Sequence, residues 1–179
     1  MNPAANLILI GPMGAGKSSV GRRLATHFDL VFVDLDHAIE QRTGVSIPLI
    51  FEHEGEAGFR RREHALVAEF SARRGILLSC GGGVVLDPAN RALLADNGFV
   101  VWLTASVDEQ LQRLATDQQR PLLATPDRRA RLDALAAERD PLYAACADLA
   151  VSSSDQSMQH AAQRIAREVA AHWQPEIPA

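Results

Sequence analysis

The chain has 179 residues, of which 47% are hydrophobic and 22% are charged, and its formal net charge is −4. This composition is typical of one soluble globular domain with its own core, and it excludes a disordered chain, a collagen-like fibre and a disulfide scaffold. No run of 18 apolar residues is present to span a membrane, and a mildly acidic chain is not typical of a nucleic-acid binder, so we expect a cytoplasmic protein without membrane or nucleic-acid partners.

Five short apolar runs predict strands, and the stretches between them predict helices. The runs are residues 7–10, 31–33, 76–79, 99–103 and the weaker 149–151. Because their apolar residues are consecutive and do not alternate with polar ones, we expect parallel strands that are covered on both faces. The predicted helices are residues 17–28, 56–74, 88–96, 106–114 and 155–172. This alternation predicts an α/β sandwich with a parallel core.

The first predicted strand leads into residues 11–18, which fit the phosphate-binding motif G-x-x-x-x-G-K-[ST] in full. In such a loop the backbone N–H groups and the start of the following helix bind phosphate oxygens. Lys17, the single lysine beside 17 arginines, would reach the β- and γ-phosphates, and the Ser18 hydroxyl is a suitable ligand for Mg²⁺. The alternative is a glycine-rich turn that matches by chance, and the correct flanking elements argue against it.

Asp34 and Asp36 follow the second predicted strand. The carboxyl ends of strands in an open α/β sheet face the ligand crevice, so both carboxylates are candidates to line it. One of them would orient Mg²⁺ through water, and the other would accept a proton from an acceptor hydroxyl or align it. Alternatively, either residue only caps a helix over residues 36–42, although capping and catalysis are compatible.

Gly81, Gly82 and Gly83 follow the third predicted strand. Three consecutive glycines lose much conformational entropy on folding, and they make sense where a ligand approaches the backbone closely. A plain flexible turn is the alternative interpretation of these three residues.

Several arginines are candidates to bind a carboxylate, which a guanidinium holds with two parallel hydrogen bonds. Residues 60–62 are successive arginines of a predicted helix and differ in direction by about 100°, so one or two of them would face the same ligand. Arg139 is a further candidate. Arg120 lies in the polar segment 116–129 and would close over the γ-phosphate from a lid. For each of these arginines an ordinary surface position is the alternative.

In chain order these motifs read G-x-x-x-x-G-K-S, D-x-D, F-R-R-R-E, G-G-G, R-P-L-L and R-x-P-L-Y. The set resembles the shikimate kinase family, from about residue 7 to residue 173. The resemblance implies a three-layer α/β P-loop kinase fold, with a five-stranded parallel sheet and helices on both faces. It also implies ATP-dependent phosphorylation of the 3-hydroxyl of shikimate with Mg²⁺ as cofactor. The products would be ADP and shikimate 3-phosphate, on the route to chorismate and the aromatic amino acids.

The resemblance also assigns roles to individual residues. ATP would contact Gly14, Ala15, Gly16, Lys17, Ser18, Ser19, Arg113 and Arg120. Shikimate would contact Asp36, Arg60, Gly82, Gly83 and Arg139, and Mg²⁺ would lie near Ser18 and Asp34. Among these residues Lys17, Asp36 and Arg120 would carry the catalysis.

The implied organisation is one domain over residues 1–173, with a shikimate-binding subdomain at about 38–63, a lid at about 116–129 and a disordered tail at 174–179. A monomer that acts on ATP and shikimate is implied as well. Another small-molecule kinase, such as one similar to gluconate kinase, and a nucleotide-binding protein without transfer activity are the alternatives. A GTPase is disfavoured, because the chain has no N-K-x-D-like guanine motif and no second lysine to form one.

Overall fold

The computed structural model describes residues 4–117, 123–155 and 157–174. Within them five strands form one sheet in which every pairing is parallel. The strands are β1 (Leu7–Ile10), β2 (Val31–Asp34), β3 (Ile76–Ser79), β4 (Phe99–Thr104) and β5 (Leu149–Ser152). Their order across the sheet is β2-β3-β1-β4-β5. The parallel α/β fold predicted from the sequence is therefore confirmed.

Seven α-helices lie among the described residues. They are α1 (Lys17–His27), α2 (Leu35–Thr43), α3 (Ile47–Ser71), α4 (Pro88–Asn97), α5 (Val107–Arg113), α6 (Arg128–Cys146) and α7 (Met158–His172). A 3₁₀ turn (Val84–Leu86) lies between β3 and α4. None of these helices combines the length and the apolar character that crossing a membrane requires.

The side chains of β1 alternate between two cores and so define the three layers. Leu7 and Leu9 pack in a cluster with α1 and α7, whereas Ile8 and Ile10 pack in a cluster with α2, α3 and α4. Successive residues of a strand point to opposite faces of the sheet, so a strand that is apolar throughout requires helices on both sides.

The two edge strands differ from the prediction that all strands are covered on both faces. Val31 in β2 is 66% exposed, and only Val151 is buried in β5. Each edge strand has one neighbour in the sheet, and the helices cover the centre of the sheet more completely than its margins. The prediction of full coverage is therefore wrong for β2 and β5 and holds for the central strands.

Helix α3 begins at Ile47, earlier than the predicted helix over residues 56–74, and it bends at Gly55. The backbone of Gly55 has φ 68° and ψ −177°, which interrupts the helix and is accessible chiefly to glycine. Arg62 bridges the bend, because its Nε and Nη2 donate hydrogen bonds to the two carboxylate oxygens of Glu54 at 3.0 and 2.6 Å. The sequence pattern predicts only the part of the helix that follows the bend.

The sequence gives no bounds for helix α6 and indicates only that helical patterns flank the polar segment 116–129. Pro141 lies inside it, and proline removes one backbone donor from a helix. Its first residues also lie in the segment 116–129, whose polar composition and two prolines are typical of a loop. The buried face of α6 nevertheless carries Arg139 and Tyr143, so this helix matters for the functional site.

Asn6, just before β1, joins three elements at the edge of the sheet where the strands begin. Its side chain is buried, and Nδ2 donates to the carbonyls of Arg73 at 2.6 Å and Asn97 at 3.1 Å. Its Oδ1 accepts a hydrogen bond from the N–H of Ile76 at 3.2 Å. One side chain thus connects the start of β1 with the start of β3 and with the C-terminal ends of α3 and α4.

We expect Asn6→Ala to lower the free energy of unfolding by about 2–4 kcal/mol, because several buried backbone groups lose their partner together. Urea unfolding measures this difference. Asn97→Ala at the same edge is the matched control, since the Asn97 side chain makes one hydrogen bond, to the Leu93 carbonyl. If Asn6→Ala lowers the free energy of unfolding no more than the control does, the connecting role of the Asn6 side chain is contradicted.

Candidate active site

The phosphate-binding motif forms a loop between β1 and α1. Gly14 and Gly16 have φ values of 77° and 84°, in the left-handed region that glycine adopts without strain. No side chain caps the start of α1, so the first N–H groups of the helix remain available to a ligand. Lys17 Nζ donates hydrogen bonds to the carbonyls of Gly11 and Pro12, each at 2.8 Å. The loop therefore presents amide donors and an ammonium group to an anion.

Ser18 and Asp34 meet beside this loop. The Ser18 hydroxyl donates a hydrogen bond to Asp34 Oδ2 at 2.5 Å, and Asp34 Oδ1 accepts one from the His37 N–H at 3.2 Å. Asp34 is thus the residue that caps α2, and it also lines the crevice. Asp36 lies in the first turn of α2 and is not the cap.

A hydroxyl and a carboxylate in contact are oxygen ligands of the kind that Mg²⁺ prefers. Within the described residues no cluster of three or more His, Cys, Asp or Glu side chains could hold a metal ion alone. The pair of Ser18 and Asp34 therefore fits a cation that keeps several waters and takes further ligands from a phosphate.

Arg113 of α5 closes the side of this loop. Its Nη1 donates to the Gly14 carbonyl at 3.0 Å and to Ser153 Oγ at 2.9 Å. The cavity here measures about 340 Å³, and its lining includes Gly14, Gly16, Lys17, Ser18, Ser19, Asp34, Asp36, Arg113 and Met158. The side chain of Ala15 is buried in the core, so only its backbone faces the loop.

A second cavity of about 540 Å³ adjoins the first. Its polar lining includes Asp36, Arg60, Glu63, Arg139 and the three glycines 81–83, and its apolar lining includes Phe51 and Phe59. Met13, Asp36, Gly81 and Gly82 line both cavities. Asp36 therefore lies at the junction between the phosphate loop and an arginine-lined chamber.

Of the three successive arginines, only Arg60 lines this chamber. Its Nη1 donates to Glu63 Oε2 at 2.7 Å, its Nη2 donates to Glu56 Oε1 at 3.0 Å, and its side chain is 20% exposed. Arg61 is exposed, and Arg62 pairs with Glu54. Arg139 reaches the chamber from α6 with a buried side chain.

Glu63 belongs to the site, although the sequence analysis does not assign it there. Its side chain is fully buried, and Oε1 has no hydrogen-bond partner among the described residues. Burial raises the pKa of Glu63 to about 7, against the opposing effect of the Arg60 guanidinium. The available signal was its spacing, since a residue three positions after Arg60 lies on the same helix face.

None of the three glycines has a positive φ, so a left-handed backbone does not require them, and the close approaches are at Gly81 and Gly83. A Cβ atom at Gly81 would lie 2.8 Å from Asp36 Oδ1, and one at Gly83 would overlap the Arg60 guanidinium. This close packing at Gly81 and Gly83 argues against the flexible-turn alternative. Tyr143, which the sequence analysis also does not assign, donates a hydrogen bond to the Gly82 carbonyl.

The carbonyls and N–H groups of this glycine segment face different surroundings. The Gly81 and Gly83 carbonyls accept hydrogen bonds from Val84 and Leu86 at 3.2 and 3.1 Å. The three glycine N–H groups have no hydrogen-bond partner in the described part of the chain. Since these residues line the chamber, the segment offers donors to a ligand there. Arg120, the predicted lid residue, lies in 118–122, outside the described residues.

Comparison with known proteins identifies the family of this chain. The family model described as Shikimate kinase matches residues 13–170. The chain belongs to the shikimate kinase family. A shikimate kinase of Stenotrophomonas maltophilia strain K279a is 55% identical over 174 residues, which are 97% of each chain. One from Thioalkalivibrio sulfidiphilus is 51% identical over 178 residues, covering 99% of this chain and 94% of the relative.

A solved structure supports the same conclusion. The shikimate kinase from Acinetobacter baumannii in complex with shikimate superposes with a TM-score of 0.90 at 41% identity, covering 94% of each chain. The family and the fold that the sequence motifs implied are therefore confirmed.

The raised pKa of Glu63 predicts a pH-dependent stability. The folded chain binds this proton more tightly than the unfolded chain, whose glutamate has the usual pKa near 4.5. The contribution to stability is therefore complete below pH 4.5 and is lost as the pH rises through about 7.

Glu63→Gln cannot titrate, so we expect the stability of wild type relative to this variant to fall by about 1–3 kcal/mol between pH 5 and pH 8. Urea unfolding of both proteins across this range measures the difference. Curves that stay parallel from pH 5 to pH 8 would contradict a raised pKa at Glu63.

Proposed function

We propose that this chain transfers the γ-phosphoryl group of ATP to the 3-hydroxyl of shikimate, giving shikimate 3-phosphate and ADP. The observation that carries the proposal is the junction of the two cavities at Asp36. A nucleotide on the phosphate loop and an acceptor among the arginines would both reach this carboxylate. The 41% identical Acinetobacter baumannii enzyme, solved in complex with shikimate, supports the choice of acceptor.

The arginine-lined chamber suits a small acid that carries several hydroxyls. The guanidinium groups of Arg60 and Arg139 would bind the carboxylate of shikimate, with the N–H groups of Gly82 and Gly83 as further donors. The ring of Phe59 in the wall would contact the carbon ring. At the opposite side the Asp36 carboxylate would accept hydrogen bonds from the hydroxyls.

On the nucleotide side the chain supplies positioning and positive charge. The amide donors of the loop would hold the phosphates of ATP, and Lys17 would exchange its contacts with the Gly11 and Pro12 carbonyls for phosphate oxygens. Arg113 would border the bound nucleotide beside Gly14. Phosphoryl transfer needs little covalent assistance, so alignment and neutralisation of charge supply most of the catalysis.

Asp36 would act on the acceptor. Its carboxylate would align the 3-hydroxyl toward the γ-phosphorus and accept the proton that this hydroxyl loses. Ser18 and Asp34 would hold Mg²⁺ at the phosphates. When bound, the ion supplies neutralisation of the charge on the β- and γ-phosphate oxygens.

The remaining expectations complete the proposal. Arg120 would contact the γ-phosphate from a lid at about 116–129, and the segment 38–63 would form the shikimate-binding subdomain. The single domain over 1–173, the tail at 174–179, the monomeric state and the cytoplasmic location belong to the same proposal.

A coupled assay of ADP release tests the proposed function against other kinase activities. Purified chain with ATP and Mg²⁺ is offered shikimate, gluconate and nucleoside monophosphates in parallel. Among these acceptors, we expect only shikimate to sustain ADP release. Turnover of gluconate or of a nucleotide in its place would contradict the proposal, and ADP release with no acceptor would indicate hydrolysis.

Asp36→Asn is expected to lower kcat by about 10²–10⁴-fold, because it removes the proton acceptor and keeps the shape of the side chain. The affinity for ATP, measured by calorimetry, should stay within a factor of two of wild type. Full turnover in the variant would remove Asp36 from the chemistry.

Arg60→Ala is expected to raise the KM for shikimate by about 10–100-fold and the KM for ATP by less than threefold, since a carboxylate loses a charged partner. Arg61→Ala is the matched control, because Arg61 is the exposed neighbour on the same helix. Equal increases in both KM values for Arg60→Ala, or similar effects of the two substitutions, would show that Arg60 is misassigned.

A further inference from the structure

The hydroxyl of Tyr143 contacts the backbone of the glycine segment 81–83. Tyr143 lies on α6, is 1% exposed, and donates its hydrogen bond to the Gly82 carbonyl. Its ring packs against Trp102 with the ring centroids 5.7 Å apart. It is the single tyrosine of the chain. Its position is therefore held by packing as well as by the hydrogen bond.

The Gly82 carbonyl and the Gly83 N–H belong to one planar trans peptide unit and point in opposite directions. When the hydroxyl of Tyr143 holds the carbonyl, it also turns the Gly83 N–H to the other side of the segment. Gly83 lies directly against the Arg60 guanidinium and lines the chamber, and its N–H has no partner among the described residues. This N–H and the guanidinium thus lie beside the same place.

We propose that Tyr143 is a positioning residue for shikimate binding: its hydroxyl fixes the Gly82–Gly83 peptide so that the Gly83 N–H donates to the substrate carboxylate held by Arg60. The inference rests on the proposed function and adds a residue that does not touch the substrate. It assigns the carboxylate of shikimate, and not its hydroxyls, as the group that depends on Tyr143.

The chemistry of Tyr143 suits a permanent donor. Burial raises the pKa of its hydroxyl well above the usual value, and the Arg139 guanidinium opposes this shift in part. The hydroxyl therefore keeps its proton throughout the physiological range. Arg139 lies four residues earlier on α6, so one helix face carries both a guanidinium of the chamber and the group that orients the peptide.

A merely structural hydrogen bond and a positioning one differ in their coupling to the ligand. An anion that accepts from the Gly83 N–H polarises the whole peptide unit, which strengthens the bond between the Gly82 carbonyl and the Tyr143 hydroxyl. The hydroxyl and the substrate carboxylate should therefore depend on each other. A ligand without the carboxylate should not sense the hydroxyl.

The test compares wild type with Tyr143→Phe, which removes only the hydroxyl. Binding is measured by calorimetry for shikimate and for its analogue with a hydroxymethyl group in place of the carboxylate. We expect Tyr143→Phe to weaken shikimate binding by about tenfold and to change binding of the analogue by less than twofold. In the kinetic assay the KM for shikimate should rise, whereas kcat and the KM for ATP should change by less than threefold.

Ser71→Ala is the matched control. This substitution also deletes one buried hydroxyl, which donates a hydrogen bond to the Val67 carbonyl at 2.6 Å. Ser71 lies at the C-terminal end of α3 near Asn6, away from the chamber. This variant should leave both ligands and both KM values unchanged. Unchanged shikimate binding in Tyr143→Phe, or equal losses for shikimate and the analogue, would overturn the inference.

A second measurement does not depend on the folding of a variant. The chain with its natural sequence is labelled by incorporation of 3-fluorotyrosine, and its single tyrosine then gives one fluorine NMR resonance. Shikimate should shift this resonance more than the analogue does, and equal shifts would overturn the inference. Wild-type turnover in the same preparation separates the two proposals: absence of turnover with shikimate overturns both, whereas normal turnover with either negative result overturns only the role of Tyr143.

Discussion

The site depends on one constraint, which is that β3 lies between β2 and β1 in a parallel sheet. All parallel strands end at the same edge, so the segments that follow these three strands become neighbours. They carry the phosphate loop, the aspartates at 34 and 36, and the glycines 81–83. The phosphate-binding motif, two carboxylates and a glycine backbone thus meet because of topology, before any contact between side chains. The helices then add the arginines.

The electrostatics of the chamber follow from the same arrangement. Arg60 is held by one buried and one exposed glutamate, Glu63 and Glu56. A buried ion pair is costly to desolvate, and the pKa of Glu63 near 7 reflects that cost. Glu56 and Glu63 together accept hydrogen bonds from all three guanidinium nitrogens of Arg60, so the protein itself orients this side chain at the chamber.

Local patterns predict most of the fold and part of the site. The phosphate loop and the aspartates after β2 form short local motifs, so the sequence alone indicates them. The family resemblance then selects Arg60 among three candidate arginines and supports Arg139. Glu63 and Tyr143 are missed because their roles come from burial and from distant contacts. Tyr143 and Gly82 are 61 residues apart in sequence. The bend at Gly55 and the bounds of the helix that contains Pro141 are missed because each carries a residue that normally ends a helix.

The segment 81–83 directs its carbonyls into the protein and leaves its N–H groups without a partner in the described chain. Such a rim discriminates by hydrogen-bond polarity more than by shape. In the proposed binding mode, an inhibitor whose acid is replaced by an amine would set donor against donor there and leave the glycine N–H groups unsatisfied. Replacements that are acceptors on every face, such as planar anionic heterocycles, suit this proposed mode better than an amine does.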